Sequence, residues 1–202
     1  MGERLYVGID LGTYQSTIAS SAGSMETIET VVGRPKDPIA RNMLKRDVLF
    51  GNEALQNKMS CNLYRPMAAG VAQDDEANLA AAKAFVTHLI ESVGPEEYDE
   101  VFGVICSPSH VSFTDKSNLV ATLRGQVNAI MVVTEPFATA YGIGEYNGTI
   151  CVDIGAGTTD IARLYGIFPT DEDQLTIQEA GDWIDMQLMT LVQKKFTGAQ
   201  VT

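Results

Sequence analysis

The chain has 202 residues, enough for one large domain or two small ones, and its 45% hydrophobic and 20% charged residues are those of an ordinary folded protein. A net charge of −12 and a pI near 4.5 argue against nucleic acid and anionic membrane surfaces as partners, while leaving room for a single nucleotide held by backbone and a metal. No apolar run approaches bilayer-spanning length, Met1-Gly2-Glu3-Arg4 leads into a strand rather than a leader, and Cys61, Cys106 and Cys151, without a C-x-x-C pair, read as reduced, buried cytosolic thiols.

In chain order, residues 5–10 form an apolar strand closed by Asp10. Asp10-Leu11-Gly12-Thr13 is a turn, and residues 16–20 return as the second strand of a hairpin. Residues 25–32 continue the sheet as a third strand, and Gly33-Arg34-Pro35-Lys36-Asp37-Pro38 breaks it. From there to about residue 73 the chain turns basic, with Arg34, Lys36, Arg41, Lys45, Arg46, Lys58 and Arg65. This stretch reads as an insertion containing a strand over 47–50 and a short helix over 52–59. Its charges form either a solvated face or a contact with an acidic neighbouring subunit.

Asp74-Asp75-Glu76 opens a helix that runs to about residue 93, with the acids in the first turn where they suit the helix dipole. His88 falls on or near its apolar face and reads as a core or boundary histidine, and Gly94-Pro95 stops the helix. Residues 100–106 are a continuous apolar strand of the kind buried in a parallel sheet. Pro108 ends it, His110 lies in an exposed loop, Ser112 caps a helix over 113–125, and residues 129–134 form another buried strand. The alternation gives a mixed sheet with helical cover.

Glu135 follows that strand, and Pro136 favours a helix start there. The carboxylate therefore stands at a helix N-terminus beyond the C-terminal end of a strand, the edge where open α/β sheets hold ligands. It either orients a water attacking a terminal phosphate or caps the helix, and position alone leaves both open. The helix over 137–141 ends at Gly142 and Gly144, and a domain boundary is expected at 143–148. Residues 149–152 and 161–165 then flank Asp153-Ile154-Gly155-Ala156-Gly157-Thr158-Thr159-Asp160, a second hairpin built like the first. Gly155 and Gly157 allow unusual backbone angles and close approach of a ligand, successive N–H groups in such turns bind anions, and Thr158 and Thr159 add hydroxyl donors. Asp153 beside a phosphate makes sense with a cation between them, and Mg²⁺ fits. Two hairpins with matching carboxylates would grip one polyphosphate from both sides; each alone is compatible with an ordinary Gly turn.

Asp10-Leu11-Gly12-Thr13, Glu135-Pro136-Phe137-Ala138-Thr139-Ala140-Tyr141-Gly142 and the 153–160 segment resemble the first phosphate, first connector and second phosphate motifs of the actin/Hsp70/sugar-kinase superfamily. Their order and spacing match the bacterial actin-like branch. The segments 31–37, 133–137 and 180–182 are most similar to its MamK-type magnetosome-filament members, with the MreB-type rod-shape proteins next. The resemblance implies an actin-like (ribonuclease-H-like) α/β fold of mixed sheets with helices on both faces. It also implies a first domain over 1–145, carrying an insertion at about 33–73, and the N-terminal part of a second, truncated domain over 146–202. It further implies ATP and Mg²⁺ as cofactors: Asp10 and Asp153 holding Mg²⁺ through its waters, Gly12, Thr13, Tyr14, Gly155, Gly157, Thr158 and Thr159 on the phosphates, and Glu135 positioning the hydrolytic water. The implied partners are further copies or a full-length actin-like homologue in a cytoplasmic, cytoskeletal filament, together with organelle-linked adaptor proteins.

The family's second glycine-rich adenosine motif and second connector have no counterpart here. After Asp160 come a third strand over 174–180, an amphipathic helix over 182–196 with Trp183, Ile184, Leu188, Leu191 and Val192 on one side, and Gly198. The second sheet is therefore expected to expose a strand edge and apolar surface, and nucleotide binding is expected to be weak. The chain reads as an ATP-dependent filament protein or its N-terminal portion, or alternatively as a non-catalytic partner that joins or caps filaments of a full-length homologue. A chaperone or sugar-kinase role ranks last, because neither a chaperone-type substrate domain nor a sugar-site carboxylate is recognisable.

Overall fold

A computed structural model describes residues 2–68, 71–72 and 75–196. Asp74, Gly198 and residue 73, the far limit of the expected insertion, lie outside the described residues. In chain order the elements are β1 (Arg4–Leu11), β2 (Gln15–Ser20), β3 (Met25–Glu29), β4 (Val32–Pro35), α1 (Pro38–Leu44), β5 (Leu49–Phe50), α2 (Gly51–Gln56), β6 (Cys61–Tyr64), β7 (Met67–Ala68) and β8 (Val71–Ala72). They continue with α3 (Glu76–Glu91), β9 (Glu100–Ser107), α4 (Phe113–Leu123), β10 (Ala129–Thr134), α5 (Glu135–Gly142), β11 (Asn147–Ile154), β12 (Thr159–Tyr165), β13 (Gln174–Ile177) and α6 (Gly181–Lys195).

The first sheet is mixed, in the order β10-β9-β1-β2-β3, with β1, β9 and β10 parallel and β1-β2-β3 an antiparallel meander. β1 alternates strictly: Leu5, Val7, Ile9 and Leu11 point into the core while Tyr6, Gly8 and Asp10 face the other way. The inward set packs with Phe85 and Leu89 of α3 and Leu119 and Leu123 of α4. Helix α3 forms where Asp75 caps it, its carboxylate accepting from the Asn78 amide, and Ser112 does the same for α4 at Asp115. On the opposite face, Tyr6, Val104 and Met131 are exposed.

The second sheet, β11-β12-β13, repeats the meander of β1-β2-β3. Helix α5 is wedged between the sheets, touching β9 and β10 on one side and β11 and β12 on the other. Its Ala140 packs with Ala162 and Leu164. Helix α6 has no buried residue, and Trp183, Ile184, Leu188 and Leu191 are exposed, as are Ile150, Val152 and Ile154 of β11.

The strand expected over 25–32 is two strands. It breaks at Thr30, whose amide donates to the Tyr14 carbonyl at 2.8 Å. The segment expected as a plain break at 33–38 instead begins as β4, the centre of a separate small sheet in the order β5-β4-β6. Gly33 permits this packing, since a Cβ there would lie 3.0 Å from the Ala54 Cβ. The three cysteines are free; Cys61 is buried, but Cys106 and Cys151 are only half-buried. His88 is a half-buried boundary residue stacked on Phe50, with centroids 4.2 Å apart.

Candidate functional site: a cleft between two glycine-turn hairpins

The tips of the β1–β2 and β11–β12 hairpins and the start of α5 line one cleft of about 900 Å³. Asp10, Gly12, Thr13, Tyr14, Glu135, Asp153, Gly155, Gly157 and Thr158 all border it. Thr159 does not. It is buried, and its hydroxyl donates to the Glu179 carbonyl at 2.9 Å, bracing the hairpin to the segment before α6.

Each turn is held from behind. In the first, a Cβ on Gly12 would run into the Gln15 carbonyl, so the tight approach excludes any side chain. The buried Thr30 hydroxyl donates to the Gly12 carbonyl at 2.8 Å and lies 2.7 Å from the Ser16 hydroxyl. In the second, the Gly155 amide donates to the Thr158 carbonyl at 2.9 Å. The carbonyls of Gly155 and Ala156 accept the first amides of α6, from Gly181 and Asp182, at 3.1 and 2.8 Å. The helix thus satisfies two of its free N–H groups on the turn. Gly155 does not adopt the left-handed backbone its type allows; its role is room, since a Cβ would sit 3.3 Å from the Thr158 carbonyl.

The cleft is acidic. Its lining includes three carboxylates and no lysine or arginine. Burial, and then the charge of Asp153, push the Asp10 carboxyl above its ordinary range. Asp153 is pushed up by burial and by Asp160, and drawn partly back by a hydrogen bond with Thr139. Glu135 rises to about 8, from burial first and then from Asp160, Asp10 and Asp153. The Cys106 thiol, which also lines the cleft, is pushed to about 12 by burial and then by Asp10, Glu135 and Asp153. Glu135 is the first residue of α5, where the N-cap Thr134 makes no side-chain cap hydrogen bond, and it borders the cleft.

Three carboxylates with no lysine or arginine beside them repel a bare anion. Among the described residues no group of three or more His, Cys, Asp or Glu is arranged to hold a metal. Two facing carboxylates without a cationic neighbour are the donor set for a cation that completes its shell with water and phosphate oxygens, as Mg²⁺ does.

Sequence reasoning missed three supporting residues. Asp160 is fully buried on β12, and its Oδ1 accepts from the Ser109 amide and the Thr176 hydroxyl, both at 2.6 Å. It therefore ties the loop after β9 to the second sheet. Ser16 and Thr30 form the brace behind the first turn. His110, expected as an exposed loop residue, is exposed, and its amide donates to Thr176 at 2.8 Å.

The family described as MreB/Mbl protein matches residues 4–199. The chain is 36% identical over 199 residues to "Actin-like protein MamK" of Magnetospirillum gryphiswaldense, which covers 98% of this chain and 55% of that protein. Two solved structures are similar. One, titled as the MamK double helical filament, gives a TM-score of 0.94 at 35% identity, covering 98% of this chain and 62% of that one. The other is a non-polymerising MamK mutant bound to AMPPNP, with a TM-score of 0.78 at 33% identity, covering 100% of this chain and 62% of that one. The mixed sheets and their order are thus those of the actin-like fold, and the chain spans a little over half the length of the curated relatives it matches.

Proposed function

The chain belongs to the MreB/Mbl family of actin-like proteins, and from that premise we propose that it is an ATP-binding filament protein whose phosphate site is the cleft between the hairpins. The observation that carries this reading is the meeting of two braced glycine turns, each presenting a carboxylate, Asp10 and Asp153, to one cleft. A solved relative bound to AMPPNP supports nucleotide as the ligand, and the filament of a relative supports self-association.

In this reading Asp10 and Asp153 would hold Mg²⁺. The backbone at Gly12, Thr13 and Tyr14 and at Gly155, Gly157 and Thr158 cradles the phosphates. When bound, Mg²⁺ would neutralise phosphate charge. Phosphoryl transfer asks mainly for positioning and charge stabilisation. Glu135, oriented by α5, accepts a hydrogen bond from the attacking water and takes its proton. It must be ionised to do so, and a cation held by Asp10 and Asp153 would lower its proton affinity from the raised value of about 8. We propose two domains dividing near residues 143–148, which is where the chain passes from α5 to β11. The filament would be cytoplasmic and serve to position organelles through adaptor proteins, by analogy with the magnetosome-type relatives. No helix among the described residues is long and apolar enough to cross a membrane.

The test is phosphate release by the chain and by Glu135→Ala with Mg²⁺ and ATP. A release rate lowered ten-fold or more with assembly intact supports the role of Glu135; unchanged release removes it from the mechanism.

The exposed apolar side of α6 and the open edge of β11 favour a second reading, a non-catalytic chain that joins or caps filaments of a full-length homologue. It requires co-sedimentation with such filaments in the absence of any ATPase activity of its own.

A further inference from the structure

Helix α5 brings more than Glu135 to the cleft. Glu135, Ala138 and Thr139 share one face of the helix and all three border the cleft. The rest of the helix is fastened to the second sheet and its turns: Ala140 packs with Ala162 and Leu164, Phe137 lies on Phe168 with centroids 4.4 Å apart, and Tyr141 lies on Tyr146 at 5.3 Å. Thr139, one turn beyond Glu135, therefore projects from a well-anchored base, and it is exposed within the cleft.

The sheet beneath the helix carries two acids side by side. Alternation along β11 and β12 puts Cys151, Asp153, Asp160, Ala162 and Leu164 on the face that α5 covers. Asp153 and Asp160 are direct cross-strand partners. Side chains so paired start about 5 Å apart, and like charges at that spacing repel. The structure treats the two differently. Asp160 is buried and is held by the Ser109 amide and the Thr176 hydroxyl. Asp153 is half-buried, borders the cleft, and is hydrogen-bonded by Thr139. Other helical threonines spend their hydroxyls on their own helix: Thr87, Thr122 and Thr190 donate to the carbonyls of Lys83, Leu119 and Met186. Thr139 gives its hydroxyl to a carboxylate on a different element.

We propose that Thr139 is a positioning residue for the metal: its hydroxyl holds the Asp153 carboxylate in the cleft, apart from Asp160, and joins it to the helix that presents Glu135. Without the hydroxyl, Asp153 faces Asp160 with no donor among the described residues, and a bound cation has to order the carboxylate at its own expense. The hydroxyl acts through Asp153 and touches neither metal nor phosphate. One turn of α5 then sets the spacing between the carboxylate that would hold Mg²⁺ and the carboxylate that would orient the water. The inference rests on the reading of the cleft as a Mg²⁺–polyphosphate site and deepens it, by naming the group that sets the geometry of Asp153.

The experiment is calorimetric titration of ATP, in Mg²⁺ and in EDTA, into the wild type, Thr139→Val and Thr139→Ser. Valine keeps the shape and loses the hydroxyl; serine keeps the hydroxyl and loses the methyl group. The position is exposed, so both variants should fold, and circular dichroism checks this. In Mg²⁺, Thr139→Val should bind ATP at least five-fold more weakly than the wild type, and Thr139→Ser within two-fold of it. In EDTA the wild type and Thr139→Val should not differ, because the turns that take the phosphates are untouched. Wild-type affinity in Thr139→Val, a serine variant as weak as the valine one, or a loss in Thr139→Val that persists in EDTA would each overturn the proposal and leave the reading of the cleft standing. A folded wild-type chain with no Mg²⁺-dependent ATP binding overturns that reading, and the proposal with it.

Discussion

Glu135→Gln separates the electrostatics of the cleft from its chemistry. The Glu135 carboxyl is raised from an ordinary value of 4.5 to about 8 by burial and by Asp160, Asp10 and Asp153. The folded chain therefore holds a proton that the unfolded chain releases. The stability this lends is fully present below about pH 4.5 and is lost as pH rises through about 8. At 1.36 kcal/mol per unit, the loss between pH 6 and pH 9 is roughly 2–3 kcal/mol, and closer to about 2 once cleft water is allowed for. Glutamine keeps the shape without the titration. Asp10 and Asp153 are raised in the same direction but remain in both proteins, so the difference between them isolates Glu135. Urea unfolding of the nucleotide-free chain at pH 6, 7, 8 and 9 is the assay. The wild type should lose stability across this range by about 2 kcal/mol more than Glu135→Gln, which should be the more stable protein at pH 9. Parallel pH profiles would refute the argument that Glu135 sits uncompensated in an acidic cleft.

Two further substitutions test how the cleft is held. Gly12→Ala drives a methyl group into the Gln15 carbonyl and should cost about 2 kcal/mol or more in thermal or urea unfolding; a neutral effect would mean the first turn has room it does not show. Asp160→Ala leaves the Ser109 amide and the Thr176 hydroxyl proton without their acceptor at this junction, at roughly 2–3 kcal/mol. Asp160→Asn should also lower the Glu135 titration midpoint, read by carboxyl ¹³C NMR, since Asp160 is the foremost charge acting on Glu135; an unmoved midpoint would remove Asp160 from the electrostatics of the site.

The parts of the site legible in the sequence are those encoded locally. An apolar strand, an aspartate and a glycine turn announce each hairpin within a dozen residues, and Pro136 after an apolar strand announces α5 with Glu135 at its head. The illegible parts are long-range. Nothing local distinguishes Thr30 from its neighbours in a strand-like run, yet its hydroxyl reaches the Gly12 carbonyl where the chain leaves the first sheet for the small β5-β4-β6 sheet. Thr159 and Thr158 look equivalent in sequence, but alternation at the start of β12 sends one to the cleft and the other to the Glu179 carbonyl. Asp160 reads as the polar end of a turn, and its role as a buried bolt depends on Ser109 and Thr176, which only the fold brings near. The exposed edge of β11 follows from the strand count, because α5 covers only the face of the second sheet that carries Cys151, Ala162 and Leu164 and leaves Ile150, Val152 and Ile154 exposed on the other.

The central claim is that two braced hairpins with facing aspartates bind a Mg²⁺–polyphosphate. Titration calorimetry of ATP into the chain, with and without Mg²⁺ and alongside Asp153→Ala, tests it most directly. The account predicts binding that requires Mg²⁺ and is weakened at least ten-fold in the variant. Binding of equal strength in Asp153→Ala, or no binding by a folded wild-type chain in the presence of Mg²⁺, would contradict it.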